Sequence, residues 1–234
     1  MKNCTSRLRS AALSVCVLTA FLPVPPVHAQ PAIPVLSEAC ETQLALSAIP
    51  ARLRADATVY VHTPEGFVIS QSGAGALNCI VERNHPLTII PQCLDQAGAD
   101  AILPALKFKT ERIMAGLSPE QVSQAHAEML EAEEFSAPGR AGVSYMISAY
   151  NLIYLSARDE RVMVGPHVMF YAPGLHNEDI GGSQKDGTEN RGMPFVLDNG
   201  PHGYMIAYVD HASELDGVIS ACEGELAAFG LDGP

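Results

Sequence analysis

The alternation of apolar and polar positions along the chain predicts two groups of strands separated by helices. Period-two alternation predicts the first group at 58–63, 67–70, 77–82 and 87–91. A second group is predicted at 142–148, 151–156, 162–171 and 203–209. The first two runs flank a Pro-Glu-Gly turn, which indicates a hairpin.

Between the two groups the apolar spacing changes to that of helices. A helix is predicted over about 99–115, with an interruption at Pro104. The sequence Ser-Pro-Glu-Gln at 118–121 then supplies a capping serine, a proline at the first helical position and a glutamine that can bond back to the cap. An earlier helix is predicted from Ser37 to about Ile49, where Pro50 ends it.

Strands at both ends of the chain, with helices inserted between them, predict an α+β domain with a mainly antiparallel sheet. The order helix, strands, helices, strands resembles that of extracellular sensor domains of the PAS and Cache type. We expect this single domain to cover residues 30–210, and a C-terminal extension, 211–234, to be tied back by Cys222. The segment 173–194 shows no periodicity, and a loop of that length is usually functional or mobile.

The N-terminus has the order of residues that is typical of a secretory signal peptide. Lys2, Arg7 and Arg9 precede an apolar run at 11–22, and Val-His-Ala at 27–29 fits a cleavage site. The apolar run is shorter than the roughly 20 residues that a membrane-spanning helix needs. We therefore expect residues 1–29 to be removed, and the protein to be secreted or periplasmic and not bound to a membrane.

The rest of the chain is strongly acidic. Residues 30–234 carry 11 basic and 26 acidic side chains, which gives a formal net charge of −15. Such a charge repels nucleic-acid phosphates and anionic lipid head groups. Neither nucleic acid nor an anionic membrane is therefore an expected partner.

Four cysteines lie beyond the predicted cleavage site, and an even number in an exported chain predicts disulfides. Three pairings are possible. We favour Cys79–Cys93, because these residues flank the turn-forming Asn-His-Pro at 84–86, and Cys40–Cys222 then follows by elimination. The even number also argues against a free catalytic thiol.

The most suggestive chemical feature is the tripeptide Gly-Pro-His, which occurs at the start of two predicted strands. Its histidines are His167 and His202. Strand alternation places Tyr171 on the face of His167, and Tyr204 on the face of His202. If the two strands are neighbours, the two imidazoles could lie side by side at one end of the sheet.

Two imidazoles and a carboxylate could hold zinc or another transition metal, with Asp179 from the long loop as third ligand, or Glu178 or His176 in its place. The competing interpretation involves no cofactor. In this interpretation the proline fixes the backbone where each strand begins, and each histidine hydrogen-bonds a neighbouring backbone carbonyl.

Three further polar residues receive structural interpretations. Glu82 and Arg83 end the third predicted strand and are expected to form an ion pair at the rim of the sheet. His126 interrupts the apolar face of a helix and is expected to be a packed histidine rather than a catalytic base.

The chain also resembles a family of uncharacterised secreted bacterial proteins over roughly residues 37–209. The resemblance rests on NCIVER at 78–83, PQC at 91–93, GVSYMIS at 142–148, PHVMFYAP at 166–173, DIG at 179–181, PFVL at 194–197 and PH at 201–202. The family has no assigned activity, so the resemblance implies no catalytic residue. It does imply that Cys79–Cys93 belongs to a common core and that Cys40–Cys222 is a local addition.

These observations favour a non-enzymatic exported module that binds a small ligand or another protein. The expected binding surface is the 172–200 loop and the rim that holds His167 and His202. The alternative is a metal-dependent hydrolase that uses both histidines and a loop carboxylate, and it requires the two imidazoles to lie beside one ion.

Overall fold

The computed structural model of the protein describes residues 33–231. The predicted signal peptide therefore lies outside the described residues. None of the helices within 33–231 is long and apolar enough to cross a membrane.

The described chain is built on one large sheet and one small one. The strands of the large sheet are β1 (Thr58–Thr63), β2 (Gly66–Gln71), β3 (Asn78–Glu82), β4 (Ile90–Leu94), β5 (Val143–Met146), β8 (His167–Tyr171), β9 (Phe195–Asp198) and β10 (Tyr204–Tyr208). Strands β6 (Leu152–Leu155) and β7 (Glu160–Met163) form a separate hairpin. Across the large sheet the order is β2-β1-β3-β4-β5-β8-β10-β9.

The pairing within the large sheet is mainly antiparallel. Between residues 33 and 231, β1 and β3 run parallel, and the other six pairings are antiparallel. The helices are α1 (Glu38–Leu46), α2 (Ala51–Arg54), α3 (Gln96–Ala101), α4 (Leu103–Met114), α5 (Pro119–Glu131), α6 (Gln184–Glu189) and α7 (Asp216–Ala221). The expected α+β class with a mainly antiparallel sheet is confirmed.

One face of the sheet is covered by α1, which packs on β1, β3 and β4. Leu44 of α1 is fully buried against strand residues such as Val59 and Val81. Both disulfides lie in this layer. Cys79–Cys93 joins β3 to β4, and Cys40–Cys222 joins α1 to the end of α7, so the favoured pairing is confirmed.

The opposite face is covered by α3 and α4, and α5 packs against α4. Helix α5 begins as predicted. The Ser118 hydroxyl accepts from the backbone N–H of Gln121 at 3.3 Å, and the Gln121 side chain accepts from the backbone N–H of Ser118 at 2.9 Å. These two bonds satisfy donors that a helix N-terminus otherwise leaves free.

Three predicted segments are wrong in extent or kind. The strand predicted at 162–171 is two strands, β7 and β8, because Pro166 between them has no N–H to donate to a ladder. The helix predicted over 99–115 is two helices, α3 and α4, which meet at Ile102. The segment 173–194 contains a 3-10 turn at Asn177–Ile180 and helix α6, and β9, which follows it, was not predicted.

Candidate functional site

A cavity of about 710 Å³ lies between the sheet and helices α4 and α5. Side chains of five strands form its floor, listed in chain order: Glu82, Ile90, Gln92, Leu94, Ser144, Met146, His167, Met169, Tyr171, Tyr204 and Ile206. The roof consists of helix residues, among them Ala105, Lys109, Val122 and His126. This volume is within the range of about 300–1,000 Å³ that is common for small-molecule sites.

Strand register brings these floor residues to one face. Ser144 of β5 pairs with Met169 of β8, and Met169 pairs with Ile206 of β10. Residues that lie directly opposite each other on neighbouring strands point to the same side of a sheet. Alternation along each strand therefore places every second residue in the cavity.

A connected row of polar side chains crosses the β3 side of the floor. The Nζ atom of Lys109 lies 2.6 Å from Oε1 of Glu82, and Nε2 of Gln92 donates to Oε2 of Glu82 at 2.7 Å. The Ser144 hydroxyl donates to Oε1 of Gln92 at 3.3 Å. Both carboxylate oxygens of Glu82 are thus occupied, and the glutamate fixes the orientation of the Gln92 amide.

Two histidines from different elements meet at the cavity. The rings of His126 on α5 and His202, just before β10, have centroids 5.6 Å apart, and Phe135 lies beside both. Burial, together with the smaller effects of Lys109 and His202, lowers the pKa of His126 to about 4, against opposing effects of Glu82 and Asp198. Burial likewise lowers the pKa of His202. Both imidazoles are therefore neutral at pH 7.

The nitrogen atoms of these two rings differ in their surroundings. A ring nitrogen of His202, Nε2, lies 3.0 Å from the carbonyl oxygen of Ser136. The Nε2 atom of His126 is buried and has no hydrogen-bond partner within residues 33–231. The expectation that His126 is a packed histidine agrees with its contacts to Phe135 and His202.

The two tyrosines of the floor have different roles. The Tyr171 hydroxyl donates to the carbonyl oxygen of Val143 at 2.9 Å and occupies the space that Gly98 leaves open on α3. No hydrogen bond to the part of the chain that the structure describes contributes to the pKa of the Tyr204 hydroxyl. Burial raises the pKa of Tyr204, and Glu82 and Asp198 raise it further. This hydroxyl is therefore protonated and available as a donor.

The predicted site residues separate into two groups. His167, Tyr171, His202 and Tyr204 all line the cavity. Asp179 does not: it is exposed in the 3-10 turn, where its Oδ2 accepts from the backbone N–H of His176 at 2.9 Å.

The expected binding surface of the long loop is only partly realised. Of the 172–200 segment, Leu197 and Asp198 reach the cavity, and both belong to β9.

The expectation that His167 and His202 lie side by side is wrong. Strands β8 and β10 are neighbours, but they are antiparallel, so His167 pairs with Tyr208 and Tyr171 pairs with Tyr204. His202 lies in the turn before β10 at the other end, so the five residues of β8 separate the two positions by roughly 16 Å. A single metal ion cannot bind both imidazoles across that distance.

Each of the two histidines instead contacts a backbone carbonyl, as the competing interpretation expected. Nδ1 of His167 lies 2.8 Å from the carbonyl oxygen of Gly165, and Nε2 of His202 contacts Ser136. Within residues 33–231, no three His, Cys, Asp or Glu side chains are arranged to hold a metal ion.

The predicted ion pair between Glu82 and Arg83 is also wrong, because neighbouring strand residues point to opposite faces. Glu82 faces the cavity and pairs with Lys109. Arg83 is buried under the other layer, where Nη1 donates to the carbonyl oxygen of Thr88 at 2.5 Å. Its guanidinium lies 4.7 Å from the ring centre of Phe229, and burial lowers its pKa to about 10.

The row formed by Glu82, Gln92 and Lys109 was not predicted as part of a site. Its signal in the sequence is a polar residue two positions from a buried apolar one: Glu82 follows Ile80, and Gln92 precedes Leu94. Polar side chains at inward positions of otherwise apolar strands indicate a polar patch on a buried face. Lys109 had no such signal, because its partner lies on a different element.

No family model matches the chain, and no curated protein or solved structure is significantly similar to it. The resemblances to secreted bacterial proteins and to PAS and Cache domains thus stay predictions. The cavity is the strongest indication of function.

Proposed function

We propose that the protein is an exported, non-enzymatic module that binds a small organic molecule in the cavity between the sheet and helices α4 and α5. The observation that carries this proposal is the cavity itself. It combines a volume of about 710 Å³ with apolar side chains, such as Ile90, Met169 and Ile206, and a set of polar groups. Small-molecule sites usually have this composition, in which apolar area provides affinity and a few polar atoms orient the ligand.

Two disulfides support a secreted or periplasmic location. Cytosolic thiols are kept reduced, whereas Cys79–Cys93 and Cys40–Cys222 are both bonded. The signal-peptide pattern before residue 30 points the same way. The net charge of −15 over residues 30–234 disfavours nucleic acid as the ligand.

The polar row of the cavity supports a role in orienting a ligand. Both oxygens of Glu82 accept, from Lys109 and Gln92, and this holds the polar side chains in fixed positions on the cavity wall. The alternative of a metal-dependent hydrolase has weaker support, since the register separates His167 from His202.

The test is a fragment screen by ligand-observed NMR on three forms of the protein. Ala105→Trp fills the cavity from α4, whereas Glu111→Trp places the same side chain on the exposed side of that helix. We expect fragments to bind the wild type and Glu111→Trp, and to lose binding to Ala105→Trp. Ser123→Trp, at the α5 side of the cavity, is a second blocking variant if Ala105→Trp does not fold.

The proposal fails if the wild type binds no fragment. It also fails if both blocking variants, shown to be folded by circular dichroism, bind the same fragments as the wild type.

A further inference from the structure

We infer that the cavity takes an uncharged organic molecule with an apolar body and a hydroxyl or carbonyl group. This inference rests on the proposed function and narrows it to a chemical class of ligand.

Among residues 33–231, the interior of the cavity holds one cation and one anion, and they neutralise each other. Lys109 and Glu82 are in contact at 2.6 Å, and Gln92 binds the second oxygen of the carboxylate. A charged ligand would lose its hydration on entering, and it would find no unpaired opposite charge inside the part of the cavity that the structure describes. Burial of an uncompensated ion is strongly unfavourable.

The titratable groups around this pair are also neutral at pH 7. Burial lowers the pKa of His126 and of His202, and burial raises the pKa of Tyr204. These three side chains offer hydrogen bonds without a net charge.

The remaining acidic residues that line the cavity are Glu120 and Asp198, and both are exposed. Their negative charge repels an anionic ligand at the entrance. Because water screens exposed carboxylates, they cannot provide the buried counter-charge that a cationic ligand would need inside.

The free polar atoms define the group that the ligand must carry. The Tyr204 hydroxyl is protonated, and no hydrogen bond to another group of residues 33–231 contributes to the rise in its pKa, so it is a donor open to a ligand. The Ser144 hydroxyl gives its proton to Gln92 and keeps its acceptor lone pairs. A ligand carbonyl can accept from Tyr204, and a ligand hydroxyl can also donate.

The apolar part of the floor defines the body of the ligand. Met146, Met169 and Ile206 belong to one buried cluster and line the cavity. Methionine side chains are flexible and polarisable, and they adapt to apolar and aromatic surfaces of different shapes. The floor therefore fits an aliphatic or aromatic body.

The experiment compares three probes of the same shape on the full chain at pH 7: 4-methylbenzyl alcohol, 4-methylbenzoate and 4-methylbenzylammonium. Binding is measured by NMR titration with the wild type, Tyr204→Phe and Tyr145→Phe. We expect the alcohol to bind at least about tenfold more tightly than either ion, because an ion would be buried without a partner. Tyr204→Phe should weaken alcohol binding severalfold. Tyr145→Phe, whose ring packs in the opposite layer, should not change it.

The outcomes separate this inference from the proposed function. If an ion binds more tightly than the alcohol and Ala105→Trp abolishes that binding, the ligand class is overturned and the proposed function stands. If no probe binds but the fragments that bind the cavity are ions, the ligand class is again overturned. If neither probes nor fragments bind the wild type, the proposed function fails, and the ligand class fails with it.

Discussion

The Nζ atom of Lys109 lies 2.6 Å from Oε1 of Glu82, and this ion pair connects α4 to β3 at the wall of the cavity. The side chain of Glu82 is 10% exposed and that of Lys109 is 26% exposed, so water screens the pair only in part. Gln92 and Ser144 continue the polar row from Glu82 onto β4 and β5. One contact thus joins the helical roof to the floor of the site.

Replacement of Lys109 should destabilise the protein more than replacement of the exposed Lys185. Lys109→Met leaves the Glu82 carboxylate without its cation, and we expect the free energy of unfolding to fall by about 1–3 kcal/mol. Lys185→Met, at an exposed pair with Glu189, should change it by less than about 0.5 kcal/mol. Urea denaturation of both variants measures the difference. Equal effects would mean that the Lys109 pair is as solvated as a surface pair.

The stability of the protein should depend on pH through Glu41. This residue is buried on α1, where Oε1 accepts from the backbone N–H of His62 at 2.9 Å. Burial raises its pKa from 4.5 to about 7, against smaller opposing effects of that hydrogen bond and of Arg83. Because the folded state binds this proton more tightly, its contribution is fully present below pH 4.5 and is lost as pH rises through 7.

Glu41→Gln removes this dependence. The free energy of unfolding of the variant minus that of the wild type should rise between pH 5 and pH 8, by at most about 3 kcal/mol. Urea denaturation at several pH values measures it, with Glu38→Gln on the exposed side of α1 as the matched control. A difference that stays constant over this range, or a similar rise in the control, would contradict the assignment to Glu41.

The two disulfides should contribute unequally to stability. Cys40 and Cys222 are 182 residues apart in sequence, and Cys79 and Cys93 are 14 apart. In the chain-entropy treatment, closing these loops stabilises the folded state by about 5 and about 3 kcal/mol. Replacing each pair by alanines and measuring denaturation by urea tests the order. All four cysteines are buried, so the cost of the space left by each replaced sulfur is similar for the two pairs. A larger loss of unfolding free energy on removal of Cys79–Cys93 would contradict the prediction.

Gly98 should be intolerant of a side chain. A Cβ atom at this position would collide with the hydroxyl of Tyr171 and approach Leu94, so we expect Gly98→Ala to destabilise the protein by about 1–3 kcal/mol. Gly139→Ala is the control, because no atom lies within 4 Å of that Cβ. In the Tyr171→Phe background, the cost of Gly98→Ala should decrease. A thermal or urea melt of the four proteins measures this coupling, and strict additivity would show that the Tyr171 hydroxyl is not the obstacle.

The sequence by itself determined the features whose causes lie within a few residues. Ser118 and Gln121 cap α5 as predicted, because the capping box needs only residues three apart. The hairpin of β1 and β2 forms around its Pro-Glu-Gly turn. The favoured cysteine pairing is also confirmed, since the flanking turn brought Cys79 near Cys93 and left one other pair.

Short or edge elements were less predictable for a physical reason. Strand β9 has four residues, too few for alternation to be recognised, and its place depends on pairing with β10.

Which polar side chains meet one another at the site was decided by the tertiary structure. The two Gly-Pro-His repeats look alike in the sequence, yet the antiparallel direction of β8 and β10 carries His167 and His202 to opposite ends. The ion pair of Glu82 and Lys109 joins a strand to a helix, and His126 meets His202 from another helix. Strand direction and helix docking are collective results of burying apolar surface, so no local pattern encodes which polar side chains they bring together.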